Sequence, residues 1–150
     1  RSARTAAFSI LRNISEGLPA HTLVLFDFDS LPDVQVPGQN APLISNTEGA
    51  VARDFSTYLV PVGAADIFFP TNFDALASLY AKQMQRPLWK GARVEAEAEA
   101  RPCSDFFKEF ADLDVTTTLS GYNPLIEDFR NTKVLIACRE MDRRVAGGEK

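Results

Sequence analysis

The sequence predicts a single α+β domain over residues 1–150, dominated by helices, with a few short strands. Three observations predict it. A chain of 150 residues with 45% apolar and 24% charged side chains has the size and composition of one globular unit. Several segments repeat apolar residues at helical spacing between capping residues and helix stops. Extended runs rich in β-branched or aromatic residues are short and few. Eleven Phe against one Trp assign most of the rings to the core, where a phenyl group buries a large area and needs no hydrogen-bond partner.

The first segment, residues 1–17, reads as a basic amphipathic helix. Ala3, Ala6, Ala7, Ile10, Leu11 and Ile14 share one face, Arg1, Arg4 and Arg12 cluster on another, and Gly17 with Pro19 stops the helix. An Arg- and Ser-rich start without acids has the profile of an organelle-targeting segment, which predicts a mitochondrial location ahead of a plastid one, with the cytoplasm as alternative. Such a helix also suits peripheral contact with a membrane.

His21 to Asp29 follows as a largely buried strand, and residues 31–42, with three prolines, as a surface loop. Thr47 to Tyr58 reads as a helix capped by Asn46 or Thr47, with Glu48 in its first turn and Gly49 as its weak point. Leu59 to Gly63 and Asp66 to Phe69 are short extended pieces, Pro61 putting the first at an edge. A further helix starts at Thr71 or Asn72 and carries Phe73, Leu76, Leu79, Tyr80 and Met84 on one stripe until Pro87.

Residues 90–102 alternate Glu and Ala. Both are strong helix formers and poor strand formers, so an exposed helix or a linker between two subregions is expected. In a helix Glu95, Glu97 and Glu99 fan out by about 200° per step and cannot converge on one metal ion. Ser104 then caps a Phe-rich helix with Phe106, Phe107, Phe110 and Leu113 toward the core. Asp114 to Leu119 is expected to be extended, and Asn123 with Pro124 opens another helix. The last helix is expected over Thr132 to Ala146. Val134, Cys138, Met141 and Val145 recur at helical spacing, Glu140 precedes Arg144 by four, Arg143 and Arg144 suit a C-terminal end, and Gly147 and Gly148 stop it.

The formal charge of -4 is uneven: residues 1–15 hold three arginines and no acid, whereas residues 16–85 hold eight acids against Arg53 and Lys82. An acidic middle repels phosphate backbones, so no nucleic-acid partner is expected. No apolar run approaches the roughly twenty residues of a membrane-spanning helix. Cys103 and Cys138 lack the clustering of a disulfide scaffold or a zinc site and are expected to be reduced. His21 is the sole histidine, which excludes a histidine-rich metal site, and no glycine-rich phosphate loop is present.

One stretch carries a suggestive pattern. In "LVLFDFDSLPDV" an apolar strand runs into Asp27 and Asp29, and residues i and i+2 of a strand point to the same side, so two carboxylates can meet one phosphate. This resembles the first motif of the haloacid dehalogenase superfamily of phosphatases. The resemblance implies Asp27 as nucleophile, Asp29 as general acid and base, and Mg²⁺ as cofactor, with Ser120 and Lys133 nominated for the later motifs. Leu31 and Ser30 depart from the family's pattern, and Glu140 and Asp142 serve as its final acids only if the last segment is a strand. The reading therefore favours a non-catalytic accessory or structural subunit acting through contacts with other protein subunits of a larger assembly. It has no catalytic residues, no cofactor and no metal site, and the phosphatase with Asp27 and Asp29 stands as the alternative.

Overall fold

The computed structural model describes residues 6–32, 34–38, 41–48, 51–88 and 92–142. In chain order its elements are α1 (Ala6–Gly17), β1 (His21–Phe28), β2 (Leu43–Glu48), β3 (Val51–Phe55), β4 (Asp66–Phe68), α2 (Phe73–Met84), β5 (Arg93–Pro102), α3 (Cys103–Phe110), α4 (Leu113–Thr116), α5 (Pro124–Glu127) and β6 (Thr132–Asp142). Helices take 31% of the described residues and strands 32%, so the fold is mixed and the helix-dominated expectation is corrected.

The strands form two antiparallel sheets, β1-β6-β5 and β3-β2-β4. The core lies on one face of the first. There Leu23 of β1, Leu135 and Ala137 of β6, and Ala96, Ala98 and Ala100 of β5 pack under Phe73, Tyr80 and Met84 of α2 and Leu11 of α1. Each fully buried Leu, Phe or Met contributes about 1.5–3 kcal/mol relative to exposure.

Three segments expected as helices contain strands instead, and for the two longest strands the physical reasons differ. In β5 the alternation wins over propensity. Val94, Ala96, Ala98 and Ala100 turn inward while Arg93, Glu95, Glu97 and Glu99 turn out, and the inward alanines leave room for α2 to lie close on the sheet. Residues 90–102 are thus neither a helix nor a linker. In β6 the run Val134 to Cys138 is continuous because the strand sits between two others, with Val134 and Leu135 both fully buried although they face opposite sides. A short apolar run of that kind fits a buried helix or a buried strand equally, and periodicity cannot separate them. Arg143, Arg144, Gly147 and Gly148, offered as the end of that helix, lie outside the described residues, as do Arg1 and Arg4.

Thr47 to Tyr58 is likewise no helix: it holds the end of β2 and all of β3, with Asn46 opposite Arg53 and Glu48 opposite Val51, and leaves the sheet after Phe55; Gly49 lies outside the described residues. Asp114 to Leu119 starts as the short α4, capped by Asp112. Ser104 does not cap α3, whose N-cap is Pro102 without a side-chain hydrogen bond. Phe110 of that helix is 61% exposed rather than in the core. Asn72 and Asn123 do cap α2 and α5, Pro124 standing in the first turn as expected.

Arg139 fastens the core side of the sheet to the helices. Buried to 1% exposure, it donates from Nη1 to the Ser15 carbonyl at 3.0 Å and from Nη2 to the Arg86 carbonyl at 2.7 Å. Both carbonyls belong to helix C-terminal regions, where unsatisfied acceptors and the helix dipole favour a cation. Burial lowers the guanidinium pKa, yet arginine remains charged in any folded protein.

Candidate functional site

The C-terminal end of β1 collects the polar groups that the sequence singled out, but it separates their tasks. Asp27 Oδ1 accepts the Phe28 amide at 2.9 Å, and Oδ2 accepts the Thr71 hydroxyl at 2.5 Å. The Thr71 amide in turn donates to the Phe28 carbonyl at 2.8 Å. Asp27 and Thr71 thus clasp the end of β1 to the residue just ahead of the α2 cap. Asp29 instead pairs with Lys133 at 3.2 Å, both side chains half-buried. Lys133 is the cross-strand partner of Asp27 in the β1–β6 register, yet its ammonium goes to Asp29.

Two adjoining clefts meet at Asp29. One, of about 320 Å³, is lined by Leu31, Val34, Val36 and Pro70 together with Asp29 and Ser30. The other, of about 220 Å³, is lined by Pro70, Thr71, Asn72, Asp74, Asp29 and Lys133. Lys133 takes Asp29 Oδ2, while Oδ1 has no protein hydrogen-bond partner among the described residues. A mostly polar cleft with Leu31, Val34, Val36 and Pro70 on its walls, beside a carboxylate paired with an ammonium, suits a small ligand that carries an N–H or O–H group and some apolar surface.

Other groups of interest are structural. His21 Nδ1–H donates to the Leu18 carbonyl at 2.7 Å, which leaves Nε2 to accept the Tyr80 hydroxyl at 2.9 Å. Burial is the main reason that the Tyr80 pKa is pushed up to about 12, with Cys138 adding to the rise and Arg139 opposing it. Cys103 and Cys138 are free thiols, and burial raises the pKa of Cys103. Ser120 sits in the turn after α4, its hydroxyl 3.0 Å from that of Thr118. Among the described residues no group of three or more His, Cys, Asp or Glu could hold a metal ion, and no helix is long and apolar enough to cross a membrane.

Residues 3–89, more than half of the chain, match the protein family described as "Putative S-adenosyl-L-methionine-dependent methyltransferase". The chain belongs to this family. Curated proteins and solved structures show no match. Membership of a methyltransferase family overturns both earlier readings, the non-catalytic subunit and the haloacid-dehalogenase-like phosphatase. Geometry agrees on the second. Because β6 is a strand, Glu140 is on a strand after all, but antiparallel pairing sets it opposite Glu95, far along the sheet from the Asp27–Lys133 pair. Asp27, the expected nucleophile, has both oxygens engaged in the clasp. The description of the family speaks neither of an accessory subunit nor of a location in the cell.

The donor that the methyltransferase family implies is a charged nucleoside, and the described residues do not build a site for it. Both sheets are antiparallel throughout, and among the described residues the turns from β4 to α2 and from β5 to α3 hold no glycine, so neither is of the glycine-rich kind that lets backbone amides approach such a ligand. Positive-φ glycines occur at Gly38, Gly63 and Gly121, none of them opening a helix. The N-terminus of α2, the helix nearest the clefts, is capped by its own Asn72 side chain. The carboxylate at the centre of the clefts is already paired with Lys133.

Proposed function

We propose that the chain serves S-adenosylmethionine-dependent methyl transfer from the acceptor side, through the two clefts that meet at Asp29. One observation carries this reading: the family match over residues 3–89 contains β1, Asp29 and the Pro70–Asp74 segment, and so supplies every named cleft residue except Lys133. A methyl acceptor must be held with its lone pair free and its outgoing proton accounted for. Asp29 Oδ1 is placed to accept a hydrogen bond from an acceptor N–H or O–H, Lys133 fixes the carboxylate through Oδ2, and Leu31, Val34 and Pro70 shield the apolar part of the acceptor. The clasp of Asp27 on Thr71 holds the two walls together and touches no acceptor.

Protein isolated from its source with its natural companions and supplied with methyl-labelled S-adenosylmethionine is expected to pass label to an acceptor. Absence of transfer across extracts and purified fractions would overturn the proposal. The purified 150-residue chain alone should show no saturable binding of S-adenosylhomocysteine by calorimetry.

A further inference from the structure

The β1–β6 register ends at Phe28 and Thr132. The next residues, Asp29 and Asn131, are still joined by a backbone bond, the Asp29 amide donating to the Asn131 carbonyl at 3.0 Å. The Asn131 side chain then reaches one residue further and donates from Nδ2 to the Ser30 carbonyl at 3.2 Å. Asn131 thus takes two successive backbone groups of the segment that carries Asp29. Its own place is set from both sides. Buried Thr132 donates from its hydroxyl and its amide to the Phe129 carbonyl, at 2.8 and 3.3 Å, and Val134 and Leu135 anchor the strand that follows in the core.

Two tasks are separate at this point. Asp29 is held through its amide by the Asn131 carbonyl and through Oδ2 by Lys133, and no side-chain change at residue 131 removes either contact. The Ser30 carbonyl is held by the Asn131 side chain. Ser30 leads into Leu31, Val34 and Val36, which line the cleft of about 320 Å³, whereas Asn131 does not line it. The Asn131 amide group therefore fixes the direction in which this wall leaves β1. A wall tethered beforehand spares a ligand the entropy of ordering it; an untethered wall is ordered only on binding, which weakens affinity. Once the ligand is bound the groups around it are the same in both cases, so the rate of the chemical step is unaffected.

We propose that Asn131, from outside the family match of residues 3–89, is a positioning residue for this cleft and sets affinity for the methyl acceptor rather than the rate of transfer. The affinity role rests on the assignment of the cleft to the acceptor; the tether is tested without it. Asn131→Asp is isosteric but has a carboxylate oxygen in place of the donor, and Asn131→Ala removes the donor without adding charge. In the full chain, nitrogen-15 relaxation should show backbone order parameters at Leu31, Val34 and Val36 falling from about 0.85 toward about 0.6 in both variants, with those of Leu23 to Phe26 unchanged. Labelled methyl transfer by the source-isolated protein, with serial dilutions of source extract freed of this protein as acceptor, should need about tenfold more extract for the half-maximal rate in either variant, at an unchanged maximal rate. Order parameters unchanged in both variants, or lowered throughout β1, would overturn the tether. A lower maximal rate at unchanged half-saturation would overturn the affinity role. Absence of transfer by the unaltered protein would overturn the acceptor reading and the affinity role with it, while the order parameters still decide the tether.

Discussion

The hydroxyl of Thr71 donates to Asp27 Oδ2 at 2.5 Å across 44 residues of sequence. It joins the end of β1 to the entry of α2 and answers what an Asp-x-Asp pair does here. One aspartate closes a strand end and the other faces the clefts.

Asp27→Ala should lose two acceptors at the clasp and leave the Phe28 amide and Thr71 hydroxyl to water. Because the site is exposed, the cost is about 1 kcal/mol, read as a melting temperature lower by roughly 2–4 °C. Thr71→Val should give a similar fall, and the double variant less than the sum of the two, since both changes remove one contact.

Arg139→Met should be far more damaging. Its removal leaves the Ser15 and Arg86 carbonyls without their donor at two helix ends. A loss of about 2–4 kcal/mol is expected in urea unfolding. Arg139→Lys should recover little of it, because one ammonium cannot span both carbonyls.

Much of this was legible in the sequence, but unevenly. The caps at Asn72 and Asn123, the α2 stripe and the existence of a strand at His21 follow from local chemistry that tertiary context leaves alone, but that strand is largely exposed and not, as expected, largely buried. The β5 and β6 segments were misread because their states depend on what covers them: a Glu-Ala alternation becomes a strand when α2 needs a flat alanine floor, and Val134 to Cys138 becomes one when β1 and β5 flank it. The same error hid Arg139, whose partners are 124 and 53 residues away. Asp27, Asp29 and Lys133 were nominated from the sequence for the wrong chemistry. Thr71 was noticed only as a cap, because no local signal reports a contact 44 residues distant.

Stability should decline at high pH through Tyr80. Its folded pKa of about 12 lies above the ordinary 10.0, so the folded state retains a proton that the unfolded state has lost. The associated stability is fully present below pH 10 and disappears as pH rises toward 12. Urea titrations at pH 9 and pH 11 should show this loss, and Tyr80→Phe should reduce it. An unchanged pH dependence in Tyr80→Phe would remove Tyr80 as the cause.

The two thiols should differ in reactivity. Cys103 is 1% exposed and burial raises its pKa, so it holds little thiolate near neutral pH. Cys138 is half-buried. Disulfide-exchange reagents at pH 8 should modify Cys138 first and Cys103 only on unfolding; simultaneous reaction in the folded state would contradict the burial of Cys103.

The central claim is that Asp29 works on a methyl acceptor while Asp27 only braces the fold. It is tested most directly by comparing labelled methyl transfer from S-adenosylmethionine for source-isolated protein carrying Asp29→Asn or Asp27→Asn. The account predicts a fall of at least about tenfold, equivalent to about 1.4 kcal/mol, for Asp29→Asn at unchanged melting temperature, and near-normal transfer for Asp27→Asn. Equal rates for Asp29→Asn and the unaltered protein, or loss confined to Asp27→Asn, would contradict it.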